Sequence, residues 1–161
     1  MSKTVIVYGT RQGMTREAAT IIAQTLRDKY SLAVDAFDLK KEKKKIKLEN
    51  YQNVIIGSSI AMGKWTSHAK RFLKNRFDNK KVFVYVCSGE AGEALQANDT
   101  SKFEEAKKKY IESVLAEFSH VKPEAITAFG GRYILFGKTV FDSWDEKPVI
   151  SWAQEIGKKL K

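Results

Sequence analysis

Thr10, Gly13 and Thr15 stand close together in Gly9-Thr10-Arg11-Gln12-Gly13-Met14-Thr15, directly behind the apolar, β-branched run Lys3 to Tyr8. A helical pattern opens at once with Arg16-Glu17-Ala18. A strand, a tight turn and a helix in that order aim several backbone N–H groups and two hydroxyls at one point. The positive end of the helix dipole lies there too, so the point suits an anion, most simply a phosphate. Gly13 lets the backbone close on that anion without a Cβ in the way. Arg11 either adds a cation or faces solvent. The loop holds no lysine, whereas a nucleotide-hydrolysing loop places one on the β- and γ-phosphates.

Other constellations fail when counted. Five residues separate Gly57 from Gly63-Lys64, one too many for a nucleotide loop, and Trp65 stands where a magnesium-binding hydroxyl is needed. Thr10 and Met14 break the glycine spacing of a dinucleotide fingerprint. Gly57-Ser58-Ser59-Ile60-Ala61 approximates a nucleophile elbow, but only His68 and His120 could serve as its base. Gly57-Ser58 offers no carboxylate for a phosphorylated receiver, and Cys and His show no metal-ligand spacing. Neither a catalytic side chain nor a metal site is expected.

The elements that must position the first loop alternate along the chain. Strands are predicted at Lys3 to Tyr8, Leu32 to Asp38, Asn53 to Gly57, Lys81 to Cys87 and Glu124 to Phe129. The first helix carries Met14, Ala18, Ile22, Leu26 and Tyr30 on one face, and the second is marked by Trp65, Ala69, Phe72, Leu73 and Phe77. Ser101-Lys102-Phe103-Glu104 has the form of a capping box, opening a helix with Phe103, Ala106, Tyr110, Val114 and Phe118 inward. Pro148 suits the first turn of a last helix, with Val149, Ala153, Ile156 and Leu160 on its inner face. Strict alternation implies an α/β fold, one doubly wound five-stranded parallel sheet covered by helices on both faces. In such folds ligands sit beyond the carboxyl ends of the strands. Three loops meet there: Gly9 to Thr15, Gly57 to Trp65 and Cys87 to Asp99, while the connections at the opposite end are charged.

At 161 residues the chain fits a single domain, 1–161, with no fixed-period repeat and no apolar stretch long enough to span a membrane. Met1-Ser2-Lys3-Thr4 runs straight into a strand, so no leader is expected, and one cysteine, Cys87, suits a reducing cytoplasm. The net charge is +10, densest in the run Lys40 to Lys47, which reads as a surface connection. No aromatic interleaves those lysines, so nucleic acid is not expected; a solvated face or a landing site for an acidic partner protein fits better.

Thr10-Arg11-Gln12-Gly13-Met14-Thr15 after a first strand resembles the Thr-x-x-Gly-x-Thr phosphate loop of the flavodoxin family. The likeness runs over nearly the whole chain, with a Gly57-Ser58-Ser59 turn after the third strand and a Ser88-Gly89-Glu90 turn after the fourth. Thr10 to Glu17 and Gly57 to Ile60 are similar to the menaquinone-dependent protoporphyrinogen oxidase branch. The resemblance implies strand order 2-1-3-4-5, bound FMN and cytoplasmic redox work. Thr10, Arg11, Gln12, Gly13, Met14 and Thr15 would hold the phosphate. Ser58, Ser59, Ile60, Ala61, Met62 and Gly63 would line one side of the isoalloxazine ring. Ser88, Gly89, Glu90, Ala91 and Gly92 would offer amides to its pyrimidine edge. A glycine peptide at Gly63, or Gly57, would sit beside the ring, and Glu90 and Glu93 would place negative charge near it.

The chain departs from that family in lacking an aromatic between Cys87 and Thr100. Trp65 either stacks on the ring or belongs to a buried helix face, and Cys87 is either core filler or redox-active. Gly130-Gly131-Arg132-Tyr133 echoes a feature of the oxidase branch, but Ile134 to Trp144 is a short segment that could cover the flavin, bind a partner or pack on the sheet. The implied function is electron transfer on FMN between soluble redox partners, acidic and ferredoxin-like given the +10. The alternative is a flavin-dependent oxidase using quinone and protoporphyrinogen.

Overall fold

A computed structural model describes residues 2–161. Five parallel strands form the sheet: β1 (Lys3–Gly9), β2 (Ala33–Asp38), β3 (Asn53–Ser59), β4 (Lys81–Cys87) and β5 (Ala125–Phe129), in the order β2-β1-β3-β4-β5. β1 lies in register between β2 and β3, with Val5 opposite Asp35 and Val54. Two further strands, β6 (Arg132–Leu135) and β7 (Lys138–Asp142), make an antiparallel hairpin outside that sheet.

The alternation of side chains along each strand divides the core in two. Val5, Val7, Val54, Ile56, Val82 and Val84 face a layer holding Trp65, Phe72, Leu73, Tyr110 and Ile111. Ile6, Ile55, Phe83 and Tyr85 face the other way, against α1 (Met14–Tyr30) and α6 (Glu146–Leu160). Ala18, Ile22 and Leu26 of α1 are fully buried there, beside Val149, Ala153 and Ile156 of α6. Pro148 lies in the first turn of α6, where a missing N–H costs nothing.

Several elements differ from expectation. The second helix, α2, spans only Ser67–Phe72 and is capped by Thr66, whose hydroxyl accepts from the Ala69 N–H at 3.2 Å. Trp65 and Phe77 lie outside that helix yet are buried, because extended and turn segments place them on the same core. The turn expected after β4 is itself a helix, α3 (Gly89–Gln96), started by a cap at Ser88. Asp99 caps α4 (Thr100–Lys107) by accepting from the Lys102 N–H at 3.0 Å, so the Ser101 box is not its start. A wider π turn, Lys108–Glu112, carries that helix on into α5 (Ser113–Leu115). The lysine run begins at the carboxyl end of β2, the same end as the first loop, and only then crosses to the far side through short 3-10 turns. Among the described residues no helix is long and apolar enough to cross a membrane.

One close approach sets the height of the site. A Cβ on Gly57 would overlap the ring of Tyr85, which is wholly buried and donates from its hydroxyl to the Thr15 carbonyl at 2.9 Å. Gly57 is therefore core, sealed inside β3, and is not available beside a ligand. Gly57→Ala should destabilise the fold by about 1–3 kcal/mol through overpacking, read as a lower urea midpoint.

Candidate functional site

α1 begins on Gly13, whose φ of 89° and ψ of −11° lie in the left-handed region. Glycine is needed there for that φ, since a Cβ would meet nothing within 4 Å. No side chain caps this helix, and the Glu17 N–H is the first to turn back, to the Gly13 carbonyl at 2.9 Å. The N–H groups of Met14, Thr15 and Arg16 thus point out of the helix with no intrahelical acceptor. Thr10 closes the turn by accepting from the Gly13 N–H at 3.0 Å, which leaves its hydroxyl proton to offer outward.

Thr15 is fully buried, and its Oγ1 finds no hydrogen-bond partner among the described residues; Ser59 Oγ is in the same position. A buried hydroxyl without a partner costs roughly 1–3 kcal/mol, so two of them on residues that line one pocket call for an explanation. The Cys87 thiol neighbours Thr15 without meeting hydrogen-bond geometry. Burial pushes that thiol up to about 12, against a smaller opposing pull from Thr15. Cys87 is thus a neutral core group at the pocket floor, lacking the thiolate that redox chemistry needs.

Arg11 is exposed, yet its guanidinium is bonded to the second loop. Its Nη1 donates to the carbonyls of Ser59 at 3.2 Å and Lys64 at 3.0 Å, and its Nη2 to that of Trp65 at 2.8 Å. The guanidinium staples the first loop to the second. Ser58 is likewise structural: its buried Oγ accepts from the Thr66 N–H at 3.0 Å. The second loop then folds on itself, Ala61 and Lys64 exchanging backbone bonds of 3.1 and 3.0 Å around a turn with positive φ at Met62 and Gly63. Met62 is 98% exposed there. Ser59, Ile60 and Ala61 line the pocket described below, whereas Met62 and Gly63 edge a broad open trough beside it, with Thr10, Lys40, Lys64, His68 and Lys70. Trp65 donates from its ring to the Tyr110 carbonyl at 2.6 Å and is core.

The third loop contributes less than expected. Ala91 N–H bonds Ser88 Oγ at 3.4 Å and Gly92 N–H bonds the Ser88 carbonyl at 3.0 Å, so both amides are spent inside α3. Of Ser88 to Gly92, only Gly89 lines the pocket. Glu90 turns away, accepting from the Tyr110 hydroxyl at 2.9 Å and pairing with Lys109 at 3.5 Å. It shares a separate groove with Glu93, Asp99 and Glu105, so neither carboxylate charges the pocket.

What the loops enclose is a narrow pocket of about 90 Å³. Arg11, Gln12, Met14 and Thr15 form one end, Ser59, Ile60, Ala61, Cys87 and Gly89 its floor and side. Gly131, Arg132, Tyr133 and Phe141 from the start of the hairpin and its return strand form the remainder. Gly131 and Arg132 were not assigned to the site from sequence, whereas Tyr133 and Phe141 were among the residues left open between covering the flavin, binding a partner and packing on the sheet. The pocket is lined by no carboxylate and no histidine. Its lining combines donors from the first loop with Ile60, Tyr133 and Phe141 as apolar and aromatic surface. That donor set fits a ligand with an anionic phosphate tail and a flat head, as FMN has.

A family model described as "Flavodoxin domain" matches residues 5–141. Protoporphyrinogen IX dehydrogenase (quinone) of Escherichia coli strain K12 is 35% identical over 72 residues, 45% of this chain and 39% of that protein, so the match spans well under half of the relative. Among solved structures, oxidised Flavodoxin 1 from Bacillus cereus superposes with a TM-score of 0.60 at 16% identity, covering 98% of this chain and 96% of that one. An NAD(P)H:quinone oxidoreductase from Methanothermobacter marburgensis gives 0.56 at 12% identity, with 100% of each chain covered. At such identities the structural likeness is one of fold.

The unpartnered hydroxyl yields a test of opposite signs. Thr15→Val should stabilise the ligand-free protein by about 1 kcal/mol in urea unfolding, because a buried unmet group is replaced by an isosteric apolar one. The same change should weaken binding of a phosphate-bearing ligand at least tenfold. Cys87 should resist alkylation at pH 8 in the folded protein, since its thiol ionises near 12, and react once urea exposes it.

Proposed function

The chain belongs to the flavodoxin domain family, a family of FMN-binding redox proteins, and from that premise we propose that it is an electron carrier working between protein partners. One observation supports the placement of the cofactor most strongly. The uncapped start of α1 and the unpartnered Thr15 hydroxyl converge where the FMN phosphate would need donors. Met14, Thr15 and Arg16 amides and the Thr10 and Thr15 hydroxyls would hold it by charge-assisted hydrogen bonds. Ser59, Ile60 and Gly89 would meet the ring. FMN, when bound, supplies the electron storage; the chain fixes its position and limits water around it.

A carrier reading is favoured over turnover by the pocket's lining, which holds no carboxylate or histidine to act on a substrate proton and whose thiol is kept neutral. Electrons would pass through the open rim, and the trough beside it offers Lys40, Lys64, His68 and Lys70, of which Lys70 is paired with Glu117 at 3.3 Å. With a net charge of +10 this rim suits an acidic partner, a ferredoxin-like protein in the cytoplasm. A second reading, quinone-linked oxidation of protoporphyrinogen, is favoured by the partial match to the dehydrogenase of that name.

The two readings separate in one pair of assays on FMN-loaded protein. Anaerobic mixing with a reduced acidic ferredoxin should reduce the flavin rapidly, and the rate should fall steeply from low to high salt as screening shortens to about 10 Å near 0.1 M. Steady turnover of protoporphyrinogen with a quinone, alongside a salt-independent ferredoxin rate, would replace the carrier by the oxidase.

A further inference from the structure

The hairpin β6–β7 is built onto the site. Ser143 locks its base: the Ser143 N–H donates to the Gly131 carbonyl at 2.8 Å, its Oγ accepts from the Gly131 N–H at 3.2 Å, and the same Oγ reaches the Gly89 carbonyl at 3.2 Å. Arg132 and Asp142 pair across the strands at 2.9 Å. Gln12 of the first loop accepts from the Ile134 N–H at 3.5 Å, so the hairpin also touches the phosphate loop. Phe141 packs so closely on α3 that a Cβ at Gly89 would stand 2.8 Å from its ring, which explains a glycine at that helix's first position.

On this frame Tyr133 and Phe141 lie nearly parallel, 5.9 Å apart with 16° between their planes, and both line the pocket. Resting on the FMN reading above, we infer that Tyr133 is the aromatic cover of the flavin ring, with Phe141 as its backing. The third loop has no aromatic to offer, and Trp65 is committed to the core through Tyr110. Tyr133 and Phe141 are the aromatic rings that the pocket lining contains. Ile60 lines the same pocket and offers an apolar side chain against which a flat ring system can rest. An electron-rich phenol and an aliphatic group give the ring aromatic and hydrophobic surfaces to pack on. Tyr133 would therefore act on the ring alone, leaving phosphate recognition to the first loop.

That division of labour gives the test. FMN and riboflavin are titrated separately into wild type, Tyr133→Phe, Tyr133→Ala and Thr15→Ala, following flavin fluorescence. Wild type should quench bound flavin, because a phenol in contact with the ring transfers an electron to its excited state. Tyr133→Phe should keep both affinities within about twofold and brighten the bound flavin. Tyr133→Ala should loosen FMN and riboflavin equally, by roughly two- to tenfold, the weight of one aromatic stack. Thr15→Ala should loosen FMN and leave riboflavin unchanged. Fluorescence in Tyr133→Phe as dim as wild type, with both affinities unmoved in Tyr133→Ala, would overturn the assignment of Tyr133. Failure of wild type to bind either flavin would instead overturn the cofactor reading on which it rests.

Discussion

A helix that starts without a cap is the constraint around which this molecule is arranged. Gly13 takes a left-handed conformation and carries no side chain, so the first turn of α1 exposes N–H groups for which the described residues offer no cap. Tyr85 holds that turn against the sheet through the Thr15 carbonyl, and Thr15 itself is buried with its hydroxyl unmet. Folding has thus enclosed donors at a place where the helix dipole is positive. Such an arrangement is costly to an empty chain and favourable to one that binds an anion. A ligand whose phosphate bound at this point would recover the local stability given up.

The surrounding loops serve that point by being fixed to each other. Arg11 binds three carbonyls of the second loop, the Ile60 N–H binds the Cys87 carbonyl at 2.9 Å, and Ser143 ties the hairpin to Gly89. A charge that the sequence could have offered to the ligand is spent on rigidity instead. The exposed parts are the rims: Met62 at the tip of the second loop and Phe136, 95% exposed, at the hairpin's turn. Between a stapled interior and these apolar tips lies the surface a redox partner would meet, flanked by the lysines that leave β2 and follow the second loop.

Strand patterns were readable because burial on both faces demands continuous β-branched runs, and Lys81 to Cys87 appears with the limits its residues suggested. The turn of glycine and hydroxyl residues between β1 and α1 was readable too, since a strand followed at once by a helical pattern leaves little else for it to be. Partner choice among polar groups was not. Arg11 has the same side chain whether it meets an anion or three carbonyls, and only the fold of the second loop decides. Glu90 likewise finds Tyr110 and Lys109 because α4 and its π turn pass beside α3. The hairpin's role stayed open among three readings because a short two-stranded excursion has little periodicity of its own. Its position follows from Ser143, twelve residues beyond Gly131. The capping box at Ser101 was overtaken by Asp99, a stronger acceptor two residues earlier.

Amide chemical shifts test the central claim most directly. With the protein labelled in nitrogen-15, saturating FMN should move the Met14, Thr15 and Arg16 N–H signals strongly downfield, as new charge-assisted bonds form. Riboflavin, which lacks the phosphate, should perturb Ile60 and Gly89 but leave those three in place. Equal shifts at the start of α1 with both ligands, or none with FMN, would mean that the uncapped helix holds no phosphate.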